Sequence, residues 1–256
     1  MKASIIICTY NEEKTITDVL IACCKFNPDC EIIVVDDGST DHTETILKEL
    51  AREHTFRYER LKKNKGKSWA MAHGVEISET DRILFFDADV SNIRKKHFDE
   101  LLKPLIDDTA DMVLGQPSET LIDYRVNPFK SLTGERALFK KDLMPILDEI
   151  KDIGFGIETF LNLYYQAKGK RIKYVLLKEL KHPSTYEKSG SVSIATKKYI
   201  DEGKEIAITI LNNQELINQR VELLISKTNN SAKQKISLLQ NDINIKLRDI
   251  KNRLSL

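Results

Sequence analysis

Two short acidic clusters stand directly after apolar runs, and they are where chemistry is expected first. Glu31-Ile32-Ile33-Val34-Val35 runs into Asp36-Asp37-Gly38-Ser39-Thr40-Asp41, and Arg82-Ile83-Leu84-Phe85-Phe86 runs into Asp87-Ala88-Asp89. Short runs rich in β-branched and aromatic residues predict buried parallel strands. In open α/β sheets the ligand sits outside the carboxyl ends of such strands. Carboxylates delivered to that edge by two strands predict a site for a metal ion and a polar, phosphate-bearing ligand. In Asp87-Ala88-Asp89 alternate residues of an extended segment point the same way, so both carboxylates can face one ligand. A hard cation, Mg²⁺ or Mn²⁺, suits few carboxylates plus phosphate oxygens, and would neutralise a leaving diphosphate. Alone, such a triplet is more often a solvated turn. Its position after Ile83–Phe86 reverses that balance.

Three further segments belong to the same argument. Thr9-Tyr10-Asn11-Glu12 follows the first apolar run. Tyr10 at a strand end can stack on a base while Asn11 holds the turn; the plain alternative is a helix start, with Thr9 or Asn11 as cap and Glu12 and Glu13 on the positive end of the dipole. Asp36–Asp41 could offer a carboxylate to a uracil N–H or a ribose hydroxyl. It also reads as an Asp-Gly turn followed by a capping box of Asp41 and Glu44. Lys65-Gly66-Lys67 opens a helix and can hold phosphate by N–H groups and ammonium charge, or is simply a basic turn.

The elements that must position these residues follow from the pattern. Strands are expected at 3–8, 31–36, 55–60, 82–87 and 111–115, and helices at 12–25, 41–53, 67–78 and 94–106. This alternation predicts a mostly parallel α/β sheet with right-handed crossovers and flanking helices. Residues 116–131, with Pro117 and Pro128, read as a long connection of the functional kind. A helix around 134–142, a turn at Gly154-Phe155-Gly156, a helix at 157–168, a strand at 171–176 and a polar loop at 181–190 come next. From about 192 the chain turns rich in Asn, Ile and Lys. Leu216, Val221, Leu224 and Ile225, then Ile236, Leu239, Ile243 and Leu247, stand near helical spacing on either side of Asn229-Asn230-Ser231. That predicts a helical hairpin, or a helix docked on the main domain.

Composition sets outer bounds. Forty basic and 39 acidic residues give a formal charge of +1, so no global field points to nucleic acid. Cys8, Cys23, Cys24 and Cys30 fit neither a disulfide framework nor a zinc site, and read as reduced thiols of a cytoplasmic protein. No signal peptide is evident, and no window approaches the roughly 18 apolar residues of a membrane span. The expected chain is soluble, or at most peripheral at the inner membrane face.

Taken as a set, the motifs resemble the family-2-like glycosyltransferases of GT-A fold. The residues that carry the likeness are Thr9-Tyr10-Asn11-Glu12, Val35 to Asp41, Asn64-Lys65-Gly66-Lys67 followed by Ala70 and Gly74, and Asp87-Ala88-Asp89. Cys8 departs from the Pro of many relatives. The resemblance implies a UDP- or GDP-sugar donor. Thr9, Tyr10, Glu12, Asp36, Asp37 and Lys67 would line the nucleotide, Asp87 would face ribose or sugar, and Asp89 would ligate Mg²⁺ or Mn²⁺. Leu132-Thr133-Gly134-Glu135-Arg136-Ala137 and Gly154-Phe155-Gly156-Ile157-Glu158 resemble segments of glucosyl-3-phosphoglycerate synthases, the latter also, more loosely, of dolichyl-phosphate mannosyltransferases. By that likeness Gly134, Glu135 and Arg136 lie at the acceptor or sugar, and His182 is a further metal ligand. Glu158 is then either the base of an inverting transferase or a sugar or acceptor binder of a retaining one. Thr159 replaces the Asp that inverting members often carry. The structural alternatives are a surface His before Pro183 and a Glu that suits the first turn of a helix.

The implied organisation is a glycosyltransferase domain at 1–190, with a nucleotide half (1–115) and an acceptor half (116–190), and a helical extension at 191–256. The acceptor would be lipid-linked, a sugar, or a small phosphorylated molecule. A sugar-phosphate nucleotidyltransferase would need a Gly-rich loop where Tyr10-Asn11-Glu12 stands. A non-catalytic nucleotide-sugar or partner-binding protein is the other alternative. The tail reads first as a cover for the domain or a homodimer surface, and second as an interfacial membrane helix; its mixed charges favour the first.

Overall fold

The computed structural model describes residues 3–119, 133–182, 192–227, 240–241, 244–248 and 251. Among them a single sheet runs in the order β3-β2-β1-β4-β6-β5-β7. Its strands are β1 (Ser4–Thr9), β2 (Glu31–Asp36), β3 (Arg57–Arg60), β4 (Arg82–Phe85), β5 (Met112–Glu119), β6 (Arg136–Phe139) and β7 (Ile172–Lys181). β1 pairs in parallel with β2 and β4, β2 with β3, and β5 with β7, while β6 is antiparallel to both its neighbours. The expected mostly parallel α/β sheet is present.

β1 has the sequence Ser-Ile-Ile-Ile-Cys-Thr because both faces of the sheet are covered. Ile5 and Ile7 join one core with Val19, Leu20, Leu47 and Phe98, from α1 (Ile16–Phe26), α2 (Thr43–Leu50) and α4 (Lys95–Ile106). Ile6 joins the other core with Met71 and Val75 of α3 (Lys67–Ile77) and Phe160. Burying each such side chain contributes roughly 1.5–3 kcal/mol. α3 lies close on β1 because position 74 is glycine: a Cβ there would come within 2.5 Å of Ile6 Cγ2.

The structure departs from expectation at four places. The helix expected around 134–142 is strand β6 followed by the short α5 (Lys140–Leu143). Ala137 and Leu138 are buried in the two opposite cores, and the pairing needs of β4 and β5 outweigh local propensity. Glu44 makes no capping box with Asp41, because it pairs with Lys48 and Arg60. β7 continues to Lys181, well past residue 176, along the whole of β5, with a register shift between Pro117 and Glu119. The tail forms α8 (Val192–Asn212) and α9 (Gln214–Ser226), interrupted at Asn213. The break expected at Asn229-Asn230-Ser231 lies outside the described residues, as do most of the connection 116–131 and the loop after His182.

Between β6 and α8 stand α6 (Leu147–Lys151), a 3-10 turn at Gly154–Gly156 and α7 (Ile157–Ala167). The described part of the tail docks on the domain: α9 packs on α7, α8 packs on the 3-10 turn, and Leu216 packs against the second core. No helix among the described residues is long and apolar enough to cross a membrane.

Candidate active site

The parallel pairing of β1 with β2 sets Thr9 opposite Asp36, so the segments after both strands leave the sheet at one edge. Asn11 N donates to Ser39 Oγ at 3.0 Å, and Asn11 Oδ1 accepts from Thr40 N at 2.7 Å. Glu12 N donates to Thr43 Oγ1 at 3.0 Å, and Glu13 N to Asp41 Oδ2 at 3.2 Å. Asp41 therefore serves the neighbouring loop as well as Thr43 N in its own helix. The result is a stiff double loop with Tyr10 at its rim, 42% exposed, and the buried Thr9 hydroxyl beneath it.

The two adjacent aspartates build this edge in different ways. Asp36 is fully buried; Oδ1 accepts from Ser39 N at 2.8 Å, and Oδ2 accepts from Tyr58 Oη at 3.0 Å and Arg60 Nε at 3.2 Å. It faces β3 and its own turn. Asp37 accepts from Lys65 N at 2.7 Å and Gly66 N at 2.8 Å, which ties down the segment that opens α3. Burial pushes its carboxyl above the usual range, against those two bonds. Gly38 has φ +74°, and a Cβ there would meet the Lys63 carbonyl carbon at 2.8 Å, so only glycine fits between the two loops.

At the head of α3, Lys67 Nζ lies 3.0 Å from Asp87 Oδ1 and 2.9 Å from Glu158 Oε1. Burial alone would lower the ammonium's pKa, but the two carboxylates reverse that and hold it well above its ordinary value. Glu158 stands in the first turn of α7, nearly buried. Cys8 sits among these charges: burial first, then Asp87, Asp37 and Glu158 against Lys67, pushes its thiol up to about 12. Four side chains from four elements therefore converge on the end of β1. Gly134 completes the group by having no side chain, since a Cβ there would overlap the Asp87 carboxylate.

Beyond Phe85 the chain alternates as the Asp-x-Asp spacing predicts, with Ala88 and Val90 buried and Asp87 and Asp89 half-buried. Carboxylate oxygens of Asp87 and Asp89 and a ring nitrogen of His182 all lie within 4.8 Å of one another. A two-residue bridge brings His182 there. Ser91 N donates to Lys181 O at 2.9 Å and Lys181 N to Ser91 O at 3.1 Å, joining the end of β7 to the loop that carries Asp89. Asn92 Nδ2 adds a bond of 2.8 Å to Glu179 O.

Glu135, completely buried, accepts from Thr133 Oγ1 at 2.8 Å and stands 3.2 Å from His182 Nε2. Its Oε1 has no hydrogen-bond partner among the described residues. Burial would lower the His182 pKa, yet Glu135, Asp87 and Asp89 overcome it and push the imidazole up to about 9. Two carboxylates and an imidazole, with a buried carboxylate behind the imidazole, make a donor set suited to Mn²⁺ or Mg²⁺.

Arg136 opens β6. It is completely buried; Nη2 donates to Thr133 O at 2.7 Å and Nη1 to Glu158 O at 3.5 Å. It ties β6 to the start of α7, under the site. The roles that the sequence did not reveal are those of the fasteners, Ser39, Thr43, Ser91 and Lys181. Ser39 stood inside the Asp36–Asp41 motif, and Thr43 and Ser91 each stand two residues past one, after Asp41 and Asp89.

The Glycosyl transferase family 2 profile matches residues 4–162. The chain belongs to this family. Poly-beta-1,6-N-acetyl-D-glucosamine synthase of Staphylococcus epidermidis is 29% identical over 155 residues, 60% of this chain and 32% of that protein. The chain thus spans about a third of the length of that relative. An uncharacterised protein of Methanocaldococcus jannaschii is 28% identical over 229 residues, covering 78% of this chain and 96% of its own. Glucosyl-3-phosphoglycerate synthase from Mycobacterium tuberculosis, crystallised with Mn²⁺, UDP and phosphoglyceric acid, superposes with a TM-score of 0.65 at 19% identity, covering 82% of this chain and 78% of that one. TarS of S. aureus (residues 1–349) gives 0.60 at 19%, covering 86% and 71%. Both likenesses establish the GT-A fold.

Proposed function

We propose that this family member is a divalent-metal-dependent glycosyltransferase that takes its sugar from a UDP-sugar and passes it to a hydroxyl acceptor. The observation that carries the reading is the convergence of Asp87, Asp89 and His182 within 4.8 Å at the strand tips. The Mn²⁺ and UDP of the mycobacterial synthase complex support the choice of ion and base.

Asp89 and His182, with Asp87 beside them, would hold Mn²⁺ or Mg²⁺, which when bound supplies charge neutralisation for the departing diphosphate. Thr9, Tyr10, Glu12 and the loops tied by Asp36 and Asp37 form the nucleotide wall, Tyr10 offering a ring face to the base. Lys67 spends two of its three N–H donors on Asp87 and Glu158, leaving one for the donor's sugar or phosphate. Glu158 has one oxygen on Lys67 and the other for a hydroxyl of sugar or acceptor, so its role in this reading is to hold and orient. Glu135 orients His182, and Gly134 gives Asp87 its space. Arg136 acts from below, by fixing the backbone on which Glu158 stands.

The test is nucleotide release from UDP-glucose, UDP-N-acetylglucosamine and GDP-mannose, with Mn²⁺ and with EDTA. Expected is UDP release that EDTA abolishes and that Asp89→Ala lowers by about 10²-fold or more in a folded protein. Turnover indifferent to EDTA, or a fully active Asp89→Ala variant, contradicts the metal assignment. Release of GDP alone contradicts the base.

A further inference from the structure

The residues that hold Glu158 in place reach beyond the part of the chain that matches the family, which ends at residue 162. α8 lies across the Gly154–Gly156 turn from which α7 starts. On one side of that turn Gly154 N donates to Ser68 Oγ at 2.9 Å. Ser68 is completely buried, follows Lys67 directly, and also reaches Lys151 O at 3.3 Å. On the other side Thr209 of α8, 6% exposed, is pressed against Gly156. A Cβ at Gly156 would overlap Thr209 Oγ1 and lie 2.8 Å from Thr209 Cβ and 3.2 Å from Cγ2.

Thr209 is itself fixed. Its hydroxyl donates to Glu205 O at 2.8 Å, and its carbonyl accepts from Asn213 Nδ2 at 2.8 Å. The turn is therefore gripped between the helix that carries Lys67 and the C-terminal extension. Two residues past the grip stands Glu158, 2.9 Å from Lys67.

We propose that Thr209 is a positioning residue, and that the C-terminal extension sets Glu158 against Lys67 by bracing the Gly154–Gly156 turn. The proposal rests on the reading that Glu158 faces the reacting sugar or acceptor. The metal groups and the nucleotide wall stand at the ends of β1, β2, β4 and β7, with fasteners of their own. Loosening the brace therefore slows turnover and leaves Mn²⁺·UDP binding intact. A misplacement of about 1 Å at such a group costs on the order of 10²-fold in rate.

The test compares the full chain with Thr209→Leu, whose larger side chain must displace the turn, and with Thr209→Ser, which keeps the hydroxyl and the space. Expected for Thr209→Leu are a fall in kcat for UDP release of about tenfold or more and faster amide exchange across 154–158. Its Kd for Mn²⁺·UDP, by calorimetry, stays within about threefold of the parent. Thr209→Ser returns kcat to within about threefold. If Thr209→Leu does not fold, Gly156→Ala applies the same overlap from the opposite side with one methyl group, and the same expectations hold. A folded variant with unchanged kcat and unchanged protection at 154–158 overturns the proposal. So does a loss of Mn²⁺·UDP binding that matches the loss of kcat, since that is general damage. The exchange measurement needs no substrate. A wild type that releases no nucleotide from any donor defeats the functional reading, while protection at 154–158 still decides the brace.

Discussion

Gly134→Ala isolates the packing of the site from its charges, because it alters no ionisable group. An added Cβ would fall well under 3.0 Å from both carboxylate oxygens of Asp87, whereas ordinary contact begins at 3.4 Å. Gly134 is buried, next to Thr133 and Glu135, whose side chains are bonded to each other, and Glu135 C=O accepts from Gly115 N of β5 at 2.8 Å. The smaller resistance lies with Asp87, so its carboxylate is the group that moves. A shift approaching 1 Å lengthens the 3.0 Å contact with Lys67 and opens the cluster with Asp89 and His182. Overpacking of this kind costs about 1–3 kcal/mol of stability. Misplacement by about 1 Å costs on the order of 10²-fold in kcat/KM, near 2.7 kcal/mol at 1.36 kcal/mol per tenfold. The assay pairs thermal unfolding with Mn²⁺-dependent nucleotide release from UDP-sugars. A variant with parental Mn²⁺ affinity and parental kcat/KM would refute the claim that Asp87 works in the space glycine leaves.

Three shorter predictions stand beside it. Glu135→Gln removes the charge that faces His182 Nε2 at 3.2 Å, and should weaken Mn²⁺ binding by about 10–100-fold in a calorimetric titration; unchanged affinity would place Glu135 outside the site's support. Lys67→Met leaves Asp87 and Glu158 facing each other without their shared cation; it should lower kcat/KM by about 10²-fold and reduce the melting temperature, and a fully active variant would remove Lys67 from the site. The third concerns pH. Side-chain bonds from Arg171 hold the Asp111 carboxyl below its ordinary 3.8. A folded pKa below the unfolded one stabilises above the unfolded value and is lost as pH falls through the folded one. Asp111→Asn should therefore be less stable than the parent at pH 7 by under about 1 kcal/mol, Arg171 being half-exposed, and the gap should narrow in urea melts only once pH falls below the ordinary 3.8 and through the lower folded value. A difference that stays the same from pH 7 to the acid end of the series would exclude the ion pair as its source.

The sequence was readable where the signal is local. Ile5–Ile7, Ile32–Val35 and Ile83–Phe86 are continuous apolar runs because each lies between two cores, and their ends lead into the acidic loops. Asp87 and Asp89 flank Ala88, so their common direction follows from strand geometry alone. β6 was hidden because Glu135 and Arg136, both charged, are both completely buried, against the usual bias. The four-residue strand Arg136–Phe139 leaves little periodicity to detect. His182 reaches Asp89 only because β7 runs on to Lys181 and pairs with Ser91, a contact spanning 90 residues of chain that no local pattern encodes. The expected box at Asp41 and Glu44 failed for the same reason in reverse: Arg60, brought alongside by β3, claims Glu44. Asp36 and Asp37 look alike in the sequence, and only the fold turns one toward β3 and the other toward the head of α3.

The central claim is that Asp87, Asp89 and His182 together hold a divalent cation where a nucleoside diphosphate binds. Mn²⁺ titration followed by electron paramagnetic resonance, with UDP present and absent, addresses it directly. The account predicts one saturable Mn²⁺ site that UDP tightens, and its loss in both Asp89→Ala and His182→Ala while each variant stays folded. Full Mn²⁺ and UDP affinity in either variant would contradict it.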